Sequence, residues 1–121
     1  MTREGSIRER IAAIHAQQLR GQTTPSEAAQ WLATLGALVG NVLQEIREAE
    51  ADFNVVYVQQ LDTEGKANRA KIRAELTDEY KRLREARDTL KLVESMTASL
   101  KYLLKAHESE MRLSGGKYGA A

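Results

Sequence analysis

The chain has no cysteine, a single proline, and only 5% aromatic residues among its 121 positions. Without thiols it can form neither a disulfide nor a thiolate metal site, which fits a reducing compartment. The shortage of proline and aromatics, beside an excess of Ala, Leu, Glu, Lys, Arg and Gln, argues against sheet and for helix. Charge of one sign is lacking too. Eighteen Lys and Arg face seventeen Asp and Glu, and a net charge of +1 points neither toward a polyanion nor away from one. There is also no long hydrophobic run. The nearest, Ala28 to Gln44, is 17 uncharged residues that include Gln30, Thr34, Asn41 and Gln44. A membrane span needs about 20 mainly apolar positions. Its Gly36 and Gly40 have the spacing of close helix contacts and are read as a tightly packed helix end. Met1 to Arg10 holds no apolar signal core. The expectation is a cytoplasmic protein without a membrane role.

What the chain does have is two heptad stripes. The first is Leu32, Leu35, Val39, Val42, Ile46, Ala49, Phe53, Val56; the second is Ile72, Leu76, Leu83, Ala86, Leu90, Val93, Leu100, Leu104, Met111. Spacings of three and four residues make a narrow seam that one long helix buries against another. Arg69, Glu79 and Thr97 interrupt it, as polar residues that set register or oligomer state do.

Boundary signals divide the chain into three helices. Ser6 and Glu9 form a capping box ahead of the apolar face Ile7, Ile11, Ile14, predicting a first helix over 7–20 that stops at Gly21. Thr24 as N-cap, Pro25 at the first helical position and Glu27 closing a second capping box start a helix over 25–61. The third runs over 66–112, about 70 Å if continuous. Ser114-Gly115-Gly116 ends it and leaves a tail over 114–121.

Gly65 is a tight turn or a kink, and charge favours the turn. Residues 44–64 hold six acids against Arg47, net −5, whereas residues 66–91 hold nine cations against five acids, net +4. Folding back at Gly65 lays one along the other. The expected fold is all-α, one helical domain built as a long antiparallel hairpin, with the short first helix packed on its open end. Trp31, Leu38, Leu43, Met96 and Leu103 lie off the seam, and any of them left uncovered predicts self-association into a homo-oligomer.

Catalytic chemistry is scarce. His15 and His107 stand on different helices, and His107-Glu108-Ser109-Glu110-Met111 lacks the second histidine of a zinc-protease helix. Gly65-Lys66 and Gly116-Lys117 lack the other residues of a phosphate loop. No catalytic residue, metal site or cofactor is expected. The one constellation with chemical content is a basic stripe on the third helix. At 100° per residue Lys66, Arg69, Arg73, Arg84, Arg87 and Lys91 fall within about 60°, with Tyr80 among them. Cations with an interleaved aromatic suit phosphates and a stacked base. The same stripe also flanks the seam, where such charges pair with a partner helix, here with Glu45, Glu48 and Asp52.

Glu64-Gly65-Lys66-Ala67-Asn68-Arg69, set between two long helices and followed by Glu79-Tyr80 and the leucine-rich heptads, resembles small helical-hairpin proteins encoded by tailed bacteriophages, over about residues 44–113. The resemblance supplies no catalytic residues. It implies a cytoplasmic accessory protein that acts by binding, in viral nucleic-acid metabolism or in countering host defence. The leading expectation is therefore a non-enzymatic, oligomerising protein of a nucleic-acid-processing or recombination complex. Two alternatives are an anti-defence protein that sequesters a phosphorylated signalling nucleotide or inhibits a host enzyme, and a structural scaffold of the virion.

Overall fold

The computed structural model describes residues 3–21 and 23–119, and the side chains of 7–21 and 23–113. The described residues are all-helical apart from short connections: α1 (Arg3–Leu19), α2 (Pro25–Glu64), α3 (Ala67–Ala74) and α4 (Asp78–Gly119). The chain divides into two compact units, Met1–Leu38 with Val93–Ala121, and Val39–Leu92.

The first unit contains α1, the start of α2 and the latter part of α4. Its buried residues are Ile7, Ile11 and Ile14 of α1, Ala28, Leu35 and Leu38 of α2, and Val93, Met96 and Leu100 of α4. Each fully buried large aliphatic contributes about 1.5–3 kcal/mol. α1 begins at Arg3, so Ser6 lies inside the helix rather than at its N-cap, and the Ser6 side chain is outside the described residues. The second capping box forms as expected. The Thr24 hydroxyl accepts from the Glu27 amide at 3.2 Å, while the Thr24 amide and hydroxyl donate to Glu27 Oε1 at 3.2 and 2.9 Å. Gly36 and Gly40 are exposed, and a Cβ at either would meet nothing within 4 Å. The tight packing expected of them is absent, because that face of α2 turns away from the core.

The second unit contains the rest of α2, all of α3 and the start of α4. Val42, Ile46, Ala49, Leu83 and Ala86 are its buried seam residues. α2 ends at Glu64 with Gly65 in the left-handed region at φ 72°, its amide bonded to the Leu61 carbonyl at 2.9 Å. This is the single-bond glycine cap of a helix C-terminus.

The expected continuous helix over 66–112 is instead two helices. The Thr77 hydroxyl donates to the Ala74 carbonyl at 2.6 Å and accepts the Tyr80 amide at 3.4 Å, so it closes α3 and caps α4 together. Asp78 and Glu79 then occupy the first turn of α4, where the helix dipole favours carboxylates. The break resets the heptad. α3 buries Ala70 and Ala74, both 0% exposed, and leaves Ile72 at 62%, while Leu76 in the break is 77% exposed. On a helical wheel Ile72 lies about half a turn from Ala70 and Ala74, so α3 presents the face opposite the one the heptad specified. Met111 also leaves the seam and is exposed. At the other end, α4 runs on through Ser114-Gly115-Gly116 to Gly119 where a tail over 114–121 is expected. Each helical glycine costs about 1 kcal/mol relative to alanine, a penalty and not a prohibition.

Candidate functional site

α3 is eight residues with two buried alanines, three cations and no acid. Its N-cap, Lys66, is extended at φ −130°, ψ 132°, and offers no side-chain cap. Lys71 and Arg73 fall in its last turn, where cations complement the helix dipole. A helix this short is marginal alone, so the inward packing of Ala70 and Ala74 holds it. The consequence is a basic outer surface: Lys66, Arg69, Lys71 and Arg73 are all exposed.

The six stripe residues separate into two groups once their partners are traced. Arg73 Nε lies 3.5 Å from Glu64, and Arg87 lies 3.3 Å from Glu50. Lys66, Arg69, Arg84 and Lys91, joined by Lys71, form no ion pair among the described residues. Arg82, off the stripe, makes the closest cross-helix pair, 2.8 Å to Asp52 and 3.8 Å to Glu48. Two of the acids expected as partners, Glu48 and Asp52, therefore do pair with α4, but through an arginine outside the stripe.

The break at 75–77 also separates the stripe in space. Lys66, Arg69 and Arg73 belong to α3 and its cap, whereas Tyr80, Arg84 and Arg87 stand on α4 with a different helical phase. Tyr80 is half-buried, its ring 5.3 Å from that of Phe53 at 48°, and Phe53 in turn lies 6.5 Å from Tyr57. These are favourable tilted aromatic contacts, and they take up a face of the ring expected to stack a base.

Two open grooves flank the start of α4. One, of about 450 Å³, lies along the break and the first turns of α4, where Lys81 and Arg84 stand among Glu75, Asp78, Glu85 and Asp88 beside Leu76 and Tyr80. The second, of about 600 Å³, lies between α2 and α4, with Asp52, Val55 and Gln59 on one wall and Asp78, Glu79 and Arg82 on the other. The residues expected to self-associate are mostly internal. Leu38 and Met96 are buried in the first unit, Trp31 and Leu103 are half-buried, and Leu43 is exposed. The larger exposed hydrophobics of the second unit are instead Val55, Val58, Ile72 and Leu76.

Among the described residues no group of three or more His, Asp or Glu could hold a metal ion. None of the described helices is long and apolar enough to cross a membrane. His15 is half-buried on α1 and His107 exposed on α4. The local signal for the break is Thr77-Asp78-Glu79, an N-cap followed by first-turn acids. No family model matches the chain, and no curated protein or solved structure matches it.

Proposed function

We propose that the chain is a non-enzymatic, self-associating helical hairpin that binds the phosphate backbone of nucleic acid through α3 and the start of α4. The observation that carries this reading is the segregation of cations. Arg73, Arg82 and Arg87 are held by acids of α2, whereas Lys66, Arg69 and Lys71 on α3 and its cap, and Arg84 on α4, form no ion pair among the described residues and stand exposed. Phosphate binding needs cations of that kind, exposed and free to release counterions. The hairpin is supported by the order of the contacts: Glu64 meets Arg73, Phe53 meets Tyr80, Asp52 meets Arg82 and Glu50 meets Arg87. The later partner advances as the earlier one recedes, as antiparallel segments require.

The setting we assign is a cytoplasmic phage accessory protein within a nucleic-acid-processing or recombination complex, which rests on the sequence resemblance. The nucleotide-sequestering alternative draws less support, because its stacking ring, Tyr80, packs on Phe53. Fluorescence anisotropy with labelled single-stranded and duplex oligonucleotides tests the proposal. At low salt the wild type binds, and the combined Lys66→Gln, Arg69→Gln, Lys71→Gln and Arg84→Gln variant loses at least about tenfold in affinity. A wild type that binds neither oligonucleotide at low salt overturns it.

A further inference from the structure

The second unit carries two exposed features that its own packing leaves unmatched, and they are complementary. The first is the outer edge of α3. Ile72 on α3 and Leu76 in the turn that follows it are 62% and 77% exposed, with Arg69 one helical turn before Ile72. This edge is apolar and basic. The second is the groove between α2 and α4, where Val55 stands 57% exposed next to Asp52, Asp78 and Glu79. Arg82 also lines it, but its charge is held by Asp52 and Glu48. Asp78 and Glu79 form no ion pair among the described residues, so this groove is apolar and acidic.

We infer that the edge of α3 from one copy docks in the acidic groove of a second copy. Ile72 and Leu76 meet Val55, and Arg69 faces Asp78 and Glu79, which leaves Lys66, Lys71 and Arg84 of the phosphate-binding set uncovered in the pair. The chain's own α3 does not serve its own groove in this way, because Ala70 and Ala74 are its buried face and Ile72 points outward. Charge selects the occupant. The carboxylates of the groove repel a polyanion, and the apolar pair Ile72 and Leu76 gains nothing from phosphates. A second copy supplies both the complementary charge and the apolar surface. Since each copy carries both halves, a two-fold axis closes the pair with two such contacts, whereas a head-to-tail arrangement would propagate. The inference rests on the reading of this chain as a self-associating binding protein and identifies the surfaces that associate.

Size-exclusion chromatography with multi-angle light scattering tests it on the full chain. The wild type runs at twice 13.5 kDa. Ile72→Gln with Leu76→Gln, which leaves every charge in place, shifts the species to a single chain with unchanged helical circular dichroism. Arg69→Glu alone and Glu79→Lys alone each weaken association by about tenfold or more. Mixing those two variants restores the dimer through one native and one reversed charge pair. The inference is overturned by a wild type of single-chain mass, by an open ladder of higher masses, by a glutamine variant that dimerises like the wild type, or by a mixture that stays monomeric. If the wild type has single-chain mass yet floats with anionic vesicles, and the glutamine variant does not, the apolar edge belongs to a lipid surface instead. Oligonucleotide binding by the glutamine variant is read separately. A lost dimer with retained binding leaves the phosphate-binding proposal standing, and a retained dimer without binding removes that proposal alone.

Discussion

The inverted face of α3 makes two substitutions at neighbouring positions behave opposite to intuition. Ile72→Lys exchanges a large aliphatic for a charge at what the heptad marks as a seam position. In the structure 62% of Ile72 is already in water. Full burial of an isoleucine is worth about 1.5–3 kcal/mol, so losing the remaining contact costs under about 1 kcal/mol, and the lysine methylenes keep part of it. Ala74→Leu looks conservative, but Ala74 has no exposed surface. Forcing three more carbons against α3's packing costs about 1–3 kcal/mol. For a chain of this length the unfolding entropy is on the order of 0.25 kcal/mol per kelvin, so the expected losses in Tm are roughly 4–12 °C for Ala74→Leu and under about 4 °C for Ile72→Lys. Urea and thermal denaturation followed by circular dichroism, on dilute protein where association contributes least, measures both. The reverse ranking would mean that the heptad passes unbroken through 75–77, and it would refute the break.

Further outcomes follow from single contacts. Thr77→Ala removes both hydroxyl bonds at the break and costs about 1 kcal/mol in urea denaturation; Thr77→Ser recovers most of that, and equal losses would remove the capping role. Gly65→Ala places a Cβ in open space at φ 72°, so its cost is conformational, about 1–2 kcal/mol, and Gly65→Asn is milder because asparagine tolerates left-handed backbone. The Arg82–Asp52 pair, although 2.8 Å apart, is partly solvated on both sides. A double-mutant cycle should therefore give about 0.2–1 kcal/mol of coupling that shrinks in high salt.

Local signals were legible in the sequence, and continuity was not. The Thr24, Pro25 and Glu27 start of α2 could be read directly, because a capping box is closed by residues three apart and needs no tertiary partner. The same holds for the glycine stop at Gly65 and for the isoleucine face of α1. The break at Thr77 was hidden by its neighbours. Leu76 and Leu83 are seven residues apart, so they continue a heptad on paper while the cap between them ends one helix and begins another. Ala70 and Ala74 give a weak periodic signal, yet in a short helix small residues permit the closest approach and decide which face turns inward. The basic stripe was found by extrapolating one helical phase across that break. Its residues were sound candidates as cations, but their division into paired Arg73 and Arg87 and unpaired Lys66, Arg69, Arg84 and Lys91 depends on where Glu64 and Glu50 fall in space. Off-seam Leu38 and Met96 looked available for association, yet the first unit buries them.

The salt dependence of oligonucleotide binding tests the central claim most directly. If Lys66, Arg69, Lys71 and Arg84 neutralise phosphates, the logarithm of the duplex binding constant falls against the logarithm of salt with a slope of roughly −3 to −4, the lower figure applying where Arg69 is held by a second copy. The variant carrying glutamine at those four positions should bind weakly with a slope near zero, whereas Arg73→Gln with Arg87→Gln, which removes cations already paired within the chain, should keep most of the wild-type slope. No wild-type binding at low salt, or one slope shared by all three proteins, would contradict the account.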